Sequence, residues 1–356
     1  MSIRRPAATI LHAPNVHTGG GLVLLQALIA AWPAEGRRIA LLDARARYTV
    51  MPAEDVEVRW VEPRVGARWF SEWHLRRATG PGDTVLCFHG LPPLWNLRAR
   101  VWVFQQNRNY LGLNPLSSFK RRTALRLAFE RGVSRLLRRH VDAYIVQTPT
   151  MARALKAWHG DAPTVYVQPF IDEWVAPARA PSPRWDFIYV ADGEAHKNHA
   201  VLLEAWELLA RKGRFPSLAL TLGPRDGALV SNVDALRAAC GAQIQNLSGL
   251  SRNDVLALYA DARALVFPST SESFGLPLVE AARCGLPIVA ADAEYVREVC
   301  VPTLTFDAAS PASIAQVIES FLDQTPSAPV STRPNLQIGR PEDLWRLIST
   351  PPKAPA

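Results

Sequence analysis

Two glutamates, Glu272 and Glu280, flank a segment whose residues predict a tight turn followed by a helix. Between them lies Gly275, which lets the backbone approach a ligand without an intervening side chain. Pro277 is expected to be the first residue of that helix, where its missing N–H would have no partner anyway. Free backbone N–H groups at a helix start attract anions, and carboxylates accept hydrogen bonds from hydroxyl groups. The unit therefore predicts a site for a ligand with phosphate and sugar hydroxyl groups.

Apolar, β-prone runs lie on both sides of this unit, at Ala262 to Ser269 and at Leu286 to Ala291. The order strand, loop, helix, strand is typical of a parallel sheet, whose ligands gather at the carboxyl ends of the strands. The amides expected to face a bound phosphate are those of Phe274, Gly275 and Leu276. A capping carboxylate beside an exposed charge is the alternative interpretation of the two glutamates.

The segment resembles the signature of the retaining glycosyltransferases of family 4, the glycosyl transferases group 1, which have the GT-B fold. The positions that match are Glu272, Phe274, Gly275, Pro277 and Glu280. The resemblance implies an α/β protein in which two Rossmann-like domains, each with a doubly wound parallel sheet, face each other across a cleft. It also implies a nucleotide-sugar donor bound mainly by the C-terminal domain, with Glu280 on the ribose and Glu272 beside the donor sugar.

Strands and helices alternate in both halves of the 356-residue chain, which is the pattern of doubly wound sheets. A proline-rich run separates the two alternations, and a second proline-rich segment follows the last one. The predicted parts are an N-terminal acceptor-side domain (1–174), a linker (175–185), a C-terminal nucleotide-sugar-binding domain (186–325) and a tail (326–356). A short helix at Pro341 to Ile348 is expected in the tail, and in this fold such a helix often crosses back to the first domain.

Three further features lie where the resemblance implies donor contacts. The backbone of Gly19, Gly20 and Gly21, after the first strand, is expected to face the diphosphate. Lys197 matches the lysine of the family that contacts phosphate, and the backbone near Gly249 and Leu250 is expected to contact the base. Taken alone, these features are also compatible with a flexible loop, a lysine on a helix face and a capped helix.

One residue departs from the family pattern, which has an arginine five residues before the lysine. This chain has Asp192 there, and a carboxylate would repel a diphosphate. Arg225, in the loop after the next strand, is one candidate substitute. Asp192 keeps open the alternative of a catalytically inactive, nucleotide-sugar-binding subunit of a polysaccharide assembly. Another enzyme of the same fold, such as a nucleotide-sugar epimerase or a phosphorylase, is a further alternative.

The acceptor side is expected in the N-terminal half. His89 follows a strand at a position where members of the family often carry a histidine near the reacting sugar. Asn107 and Tyr110 follow another strand and would offer an amide and an aromatic ring to a carbohydrate. Loop hydrogen bonding by the histidine and turn formation by the asparagine are the alternatives.

The reaction implied is transfer of a sugar from a nucleoside diphosphate to a saccharide or lipid-linked hydroxyl, with retained anomeric configuration. The candidate catalytic residues are Glu272, Lys197 and His89. No Asp-x-Asp motif occurs, so neither a metal ion nor another cofactor is expected. Double displacement would need a carboxylate nucleophile, and the sequence offers no convincing one. Glu272 is therefore expected to orient the donor sugar, and the biological setting to be surface polysaccharide or lipopolysaccharide synthesis.

Basic residues are concentrated in the first half of the chain. Residues 1–170 carry 24 Lys and Arg against 11 Asp and Glu, a net charge of +13, whereas the remainder has a net charge of −5. The densest part, Ser117 to His140, has eight basic residues, one acid and an imperfect apolar stripe. It predicts a basic amphipathic helix that docks on an anionic membrane, the alternative being a solvated helix face. Nucleic acid is not expected as a partner, since the second half is acidic.

The four cysteines lie far apart without metal-ligand spacing, which favours reduced thiols and a cytosolic protein. The longest apolar stretch, Gly21 to Trp32, is too short to span a bilayer. The sequence therefore predicts a cytoplasmic protein, peripheral on the inner face of the cell membrane.

Overall fold

The computed structural model describes residues 6–64, 66–119, 121–160, 164–323 and 335–350. The chain forms two compact units, one of Met1–Glu173 with Ile338–Ala356 and one of Trp174–Gln337. All four cysteines are free thiols. No helix in the described ranges combines the length and the apolar character that crossing a membrane requires.

The first unit is built on a parallel sheet, for which the described residues supply seven strands in the order β3-β2-β1-β4-β5-β6-β7. The strands are β1 (Ala8–Ala13), β2 (Arg37–Asp43), β3 (Glu57–Val61), β4 (Thr84–Cys87), β5 (Arg100–Phe104), β6 (Ala143–Val146) and β7 (Thr164–Val167). The helices are α1 (Gly19–Ala30), α2 (Ala67–Ala78), α3 (Arg121–Leu137), α4 (Pro149–His159) and α11 (Pro341–Ser349). The strand order reverses between β1 and β4, so the segments that follow these two strands meet at one edge of the sheet.

The central strands are apolar along nearly their whole length, because helices cover both faces of such a sheet. Ile10, Leu11 and Val85 are fully buried, for example. The C-terminal helix α11 packs on α1: the Trp345 ring stacks on Trp32 at a centroid distance of 4.7 Å, and its Nε1 donates to the Leu28 carbonyl (2.8 Å). The helix predicted in the tail is thus present, and it belongs to the first unit.

The second unit is also built on a parallel sheet, and its described strands have the order β10-β9-β8-β11-β12-β13. They are β8 (Trp185–Tyr189), β9 (Leu218–Leu220), β10 (Ile244–Asn246), β11 (Ala262–Phe267), β12 (Ile288–Ala291) and β13 (Leu304–Phe306). The helices are α5 (His199–Arg211), α6 (Gly227–Cys240), α7 (Arg252–Ala260), α8 (Leu276–Arg283), α9 (Glu294–Val299) and α10 (Pro311–Asp323). Here the order reverses between β8 and β11.

The sequence failed to predict two short strands, β7 and β10, and placed Trp185 in the linker, although it begins β8. Helix α8 begins at Leu276, so Pro277 is its second residue and not its first. Both positions belong to the first turn, where proline costs no hydrogen bond.

Candidate functional site

The loops that follow β8 and β11 are joined by hydrogen bonds at the carboxyl edge of the second sheet. The amide of Thr270 donates to the His196 carbonyl (2.8 Å), and Ser269 Oγ lies 3.1 Å from the same oxygen. Asn198, in the left-handed conformation (φ +62°), donates from Nδ2 to the carbonyls of Pro268 (3.2 Å) and Ala308 (2.7 Å). These contacts fix the short 3₁₀ turn that carries Lys197.

Lys197 and Glu272 form an ion pair across these loops. Lys197 Nζ lies 2.8 Å from Glu272 Oε1, and Ser269 Oγ donates to the same oxygen at 2.7 Å. The side chains are 16% and 10% exposed, so the pair is screened less than a surface pair but is still reachable from solvent. An ammonium group has three N–H donors, and Glu272 holds this one beside the helix start described next.

Helix α8 begins directly beyond Glu272. Gly275 precedes it with φ +74°, a conformation that favours glycine, and a Cβ there would lie 3.0 Å from Leu278 Cδ1. The helix makes its first hydrogen bond from Leu278 N to the Gly275 carbonyl (2.9 Å). The amides of Phe274, Gly275 and Leu276 precede that bond, at the positive end of the helix dipole. The Phe274 ring is buried, so this residue can offer a ligand only its backbone.

Glu280 lies inside the unit and is paired there. Its Oε2 accepts from Tyr259 OH (2.7 Å), and its Oε1 lies 2.5 Å from Arg252 Nη1. The Glu280 side chain is 2% exposed and the Arg252 side chain 27%. Burial, together with the Glu280 carboxylate, raises the pKa of Tyr259 well above its usual range, so the phenol stays protonated and donates. In this conformation Arg252 is the more accessible member of the pair, and the ribose role of Glu280 stays a prediction.

Gly249 and Leu250 precede α7, the helix that carries Arg252 and Tyr259. Gly249 has φ +72°, and Ser251 caps the helix by accepting from the Asp254 amide (3.2 Å). The structure therefore contains the capped helix that was the alternative interpretation of this segment. A contact of its backbone with a base stays a prediction.

Asp192, the departure from the family pattern, is exposed in the loop after β8, where its Oδ1 accepts from the Glu194 amide (3.4 Å). The loop after β9 packs on the same loop, because a Cβ at Gly193 would lie 2.4 Å from Asp226 Oδ1. Arg225 precedes Asp226 and is exposed. Asp192 and Glu194 thus share the loop that carries Lys197, and Asp226 packs on that loop at Gly193.

In the first unit, the glycine loop and the segment after β5 are in contact. Helix α1 begins at Gly19 (φ +64°), followed by Gly20 and Gly21. A Cβ at Gly21 would lie 3.4 Å from Gln106 Oε1, and Gln106 Nε2 donates to the Phe88 carbonyl (2.9 Å). The glycine loop thus lies near the carboxyl end of β4, and His89 follows that end in the sequence.

His89 is hydrogen-bonded to a second histidine that the sequence did not single out. His89 Nε2 lies 3.1 Å from His12 Nδ1, and His12 Nε2 lies 2.7 Å from Ser71 Oγ on α2. Burial, followed by the Arg68 charge, lowers the pKa of His12 to about 3. Burial, then His12 and Arg68, lowers the pKa of His89 well below its usual range. Both rings are therefore neutral at neutral pH, each with one N–H.

Glu72 follows Ser71, the partner of His12, on α2 and is fully buried. Its Oε2 accepts from the Leu94 amide (3.0 Å), and the nearest Arg68 nitrogen is 3.8 Å from Oε1. Burial raises the pKa of Glu72 to about 7, although Arg68 opposes this shift. The first unit thus carries a buried carboxyl with a pKa of about 7, on the residue that follows Ser71, the partner of His12.

Of the two other acceptor candidates, Asn107 has a local task. Its Oδ1 accepts from the Asn109 amide (2.9 Å) and caps a 3₁₀ turn over Arg108–Leu111, which is the turn interpretation. Tyr110 lies in that turn, and burial raises its pKa to about 12, so it remains a neutral phenol. Contacts of both with an acceptor stay predictions.

A potential cation-binding group occurs at the same edge. Within the part of the chain that the structure describes, His12, Cys87 and His89 each bring a ligand atom within 4.8 Å of the others. Burial, followed by the Glu72 carboxylate, raises the pKa of the Cys87 thiol well above its usual range, although Arg68 opposes this shift, so the thiol is protonated at neutral pH.

Comparison with protein families gives a match over residues 170–333, to the family model described as Glycosyl transferases group 1. The matched residues lie almost wholly in the second unit, Trp174–Gln337. They include Lys197, Glu272, Glu280 and the Gly249 turn, whereas His89 and the glycine loop lie outside the match.

Two curated relatives from Escherichia coli share part of their sequence with this chain. The serotype-specific mannosyltransferase WbdA is 35% identical over 228 residues, which is 63% of this chain and 23% of WbdA. The O-antigen chain mannosyltransferase B is 35% identical over 115 residues, 32% of this chain and 30% of that protein. The chain spans about a quarter of the length of the curated relatives it matches first.

Among solved structures, HepE from Anabaena, in a crystal structure of its complex with UDP and glucose, superposes with a TM-score of 0.67. The alignment covers 96% of this chain and 94% of HepE at 17% sequence identity. Together with the two parallel sheets, this likeness confirms the predicted α/β GT-B fold.

Sequence reasoning missed four residues that complete these clusters: Ser269, Tyr259, Arg252 and His12. Ser269 and Tyr259 lie inside segments that the motif already marked, so their polar side chains were a usable signal. His12 is the penultimate residue of β1, and only the adjacency of β1 and β4 brings it to His89.

Proposed function

We propose that this protein is a retaining glycosyltransferase that moves a sugar from a nucleoside diphosphate sugar to a hydroxyl of a saccharide or lipid-linked acceptor. The setting proposed is synthesis of surface polysaccharide or lipopolysaccharide. Because the relatives are named mannosyltransferases and one is named for O-antigen chains, the sugar we propose is mannose. The nucleotide is left open, since the likeness to HepE is one of fold.

The observation that carries this proposal is the Lys197–Glu272 ion pair beside the start of α8 (Lys197 Nζ to Glu272 Oε1, 2.8 Å). A diphosphate bound there would meet a fixed cation and the amides of Gly275 and Leu276. Such groups stabilise the charge that develops on a leaving diphosphate more than the charge of the ground state. The proposal therefore assigns the leaving group to these residues and needs no metal ion.

In the proposed reaction, the bond between the anomeric carbon and the diphosphate oxygen breaks, and a bond to the acceptor oxygen forms on the same face. The acceptor proton passes to the leaving diphosphate. Glu272 is engaged by Lys197 and Ser269, which suits a role in orienting the donor sugar and stabilising its positive charge. For His89, a position beside the reacting sugar on the acceptor side is proposed from the family resemblance.

The decisive test is a transfer assay with UDP-, GDP-, ADP- and dTDP-linked sugars, including GDP-mannose, against mannose oligosaccharides. We expect one mannosyl donor to be consumed with a new glycosidic bond whose configuration, read by NMR, matches the donor. Nucleotide-sugar binding without transfer to any acceptor would favour the inactive-subunit alternative. Conversion of the donor without an acceptor would favour an epimerase.

The exposed face of α3 supports the proposed contact with an anionic membrane. Leu125, Phe129 and Leu136 are 73%, 71% and 65% exposed and share one face, since they are spaced by four and seven residues. Arg122 and Arg126 flank this stripe on one side, with Arg121 and Arg135 on the other, and all four are exposed. Leu127, on the opposite face, is buried in the unit. An apolar stripe between arginines suits the interface of a bilayer.

Co-sedimentation with vesicles tests this contact. We expect recovery with anionic phosphatidylglycerol vesicles and much less with neutral phosphatidylcholine vesicles. A variant with Leu125, Phe129 and Leu136 changed to serine should lose binding, whereas the matched control Tyr48→Ser with Met51→Ser, also exposed and apolar, should keep it. Equal recovery with both vesicle types would refute the proposal.

A further inference from the structure

His12 and Cys87 lie side by side on adjacent strands of the first sheet. In the parallel pairing of β1 with β4, His12 is the register partner of Cys87. Register partners on neighbouring strands point to the same face of the sheet, so the imidazole and the thiol meet although they are far apart in the sequence. His89 follows the end of β4 and joins them, because its Nε2 lies 3.1 Å from His12 Nδ1.

The distances among these three side chains suit a single metal ion. The facing ring nitrogens of His12 and His89 are 3.1 Å apart. Two imidazoles bound to one tetrahedral Zn²⁺ bring their nitrogens to about 3.3 Å, and a thiolate brings its sulfur to about 3.6 Å from each. The group as it stands has one ligand atom of each residue within 4.8 Å of the others. Side-chain rotations that close about 1 Å would therefore seat the ion.

The far side of the His12 ring has the kind of partner that a metal-bound histidine has. His12 Nε2 lies 2.7 Å from Ser71 Oγ, which is buried on α2. A histidine that binds a metal ion ordinarily donates its other ring N–H to such a group, which fixes the tautomer and the orientation of the ring. With the proton on Nε2, the lone pair of His12 Nδ1 is on the side of His89.

The donor set and its surroundings select the kind of ion. Imidazole nitrogen and thiolate sulfur are ligands of Zn²⁺, whereas Mg²⁺ and Ca²⁺ take oxygen ligands. On binding, the Cys87 thiol proton leaves to solvent, and the thiolate sulfur donates an electron pair to the ion. The thiolate offsets half of the charge of the ion, and the nearby positive charge of Arg68 is matched by Glu72 at 3.8 Å. His12 and Cys87 are fully buried, whereas His89 keeps some exposed surface through which an ion can enter.

We infer that His12 Nδ1, Cys87 Sγ and His89 Nε2 form a binding site for Zn²⁺, and that bound zinc inhibits sugar transfer. The ion takes the Nε2 lone pair of His89, so this nitrogen is no longer available to the reacting sugar. The inhibition rests on the proposed function, whereas the binding of zinc does not. Zinc is thus an inhibitor of the proposed reaction and not its cofactor.

Cobalt tests the binding, because Co²⁺ occupies zinc sites and a cobalt–thiolate bond has a charge-transfer band in the near ultraviolet. The 356-residue chain, stripped of metal with a chelator and kept reduced with a thiol-free reductant, is titrated with Co²⁺ without any sugar. We expect the band to saturate at about one ion per chain and to disappear when Zn²⁺ replaces Co²⁺. Mg²⁺ should not displace the cobalt.

Substitutions distinguish this site from other thiols and imidazoles of the chain. Cys87→Ser should lose the band and bind zinc at least about 100-fold more weakly, whereas the matched control Cys300→Ser, also a fully buried thiol, should keep both properties. Ser71→Ala should keep the band and bind zinc about tenfold more weakly, as expected for the loss of an outer partner. His12→Gln is a second ligand variant, which leaves the thiol in place and should weaken binding as Cys87→Ser does. Circular dichroism of each metal-free variant checks its fold.

Transfer assays measure the inhibition. Zn²⁺ should slow transfer by the wild type about tenfold or more, as removal of the His89 ring should, and a chelator should restore it. Cys87→Ser should keep its basal transfer and resist zinc. Zinc binding at this site without loss of transfer would overturn the inhibitory part of the inference.

Absence of the cobalt–thiolate band in the wild type, or an identical band in Cys87→Ser, would overturn the zinc site and leave the proposed function standing. If the metal-free chain transfers no sugar, the proposed function fails, and the cobalt titration still decides whether the site exists.

Discussion

Both units bring polar residues together at equivalent points of their sheets, but the two resulting pairs differ in charge and in exposure. In the second unit, the loops after β8 and β11 bring Lys197 and Glu272 together as a charged, partly exposed pair. In the first unit, the segments at β1 and β4 bring His12 and His89 together as a buried, neutral pair. Both pairs lie at the position where the strand order reverses.

The comparison shows that the topology brings the residues together, whereas their local environment sets their charge. A reversal of strand order leaves two neighbouring loops free to converge, whichever residues they carry. The charge state then depends on burial and on nearby partners. Lys197 has a carboxylate within 2.8 Å, which stabilises its charge, whereas the histidines have each other and the positive Arg68, which favour neutral rings.

The largest effect is expected when the charge of the second-unit pair is removed. Lys197→Met keeps most of the side-chain volume and removes the cation, so turnover should fall about 10²- to 10³-fold, as for other groups that stabilise a developing anion. The assay is sugar transfer under saturating donor. Lys212→Met, which removes an exposed lysine paired with Glu319, is the matched control and should retain activity. Unchanged turnover in Lys197→Met would show that the phosphate assignment is wrong.

A pH-dependent effect on the free energy of unfolding is expected from Glu72, on α2 of the first unit. The folded-state pKa of Glu72, about 7, lies above its ordinary value, so the folded state binds the proton more tightly than the unfolded state. This contribution is complete below about pH 4.5 and is lost as pH rises through about 7. As the pH rises from about 5 to about 8, the free energy of unfolding of Glu72→Gln should therefore increase relative to that of the wild type, by about 3 kcal/mol at most.

Urea unfolding of both proteins at about pH 5 and about pH 8 checks this expectation. Comparing the variant with the wild type at each pH removes the opposite contribution of His12, whose lowered pKa destabilises the fold as pH falls below about 6.5. A difference that stays constant between the two pH values would contradict a titrating Glu72.

His89→Ala should slow transfer by about tenfold or more, with little change in donor affinity, because the histidine pair lies outside the unit that binds the donor in our proposal. Donor calorimetry and transfer kinetics on the same preparation measure the two effects. His140→Ala, elsewhere in the first unit, serves as the control. If donor affinity fell as much as turnover, the proposed division of roles between the two units would be wrong.

The smallest effect is expected from restoring the family pattern in the charged site. Asp192→Arg exchanges an exposed acid for a base, and exposed charges contribute up to about 1 kcal/mol, so donor affinity should rise about threefold to fivefold. The gain should shrink in high salt, which screens exposed charges. Asp234→Arg, an exposed acid on α6, is the matched control for a nonspecific charge effect.

The alternation of apolar runs with helical segments was enough to predict both parallel sheets, because buried strands and amphipathic helices have different periods. The local chemistry of α8 was also readable: Gly275 occupies a left-handed position, and Pro277 lies in the first turn. These features depend on residues that are near one another in the chain, which is why a sequence alone determines them.

The tertiary structure decided which partner each polar residue has. Glu272 meets Lys197 across 75 positions, and His89 meets His12 across 77, through adjacent strands that no local pattern specifies. The local sequence predicts that Glu280 is accessible to a ligand, yet Tyr259 and Arg252 pair with it inside the unit. Burial and partners set charge and access, and both arise only when distant segments pack together.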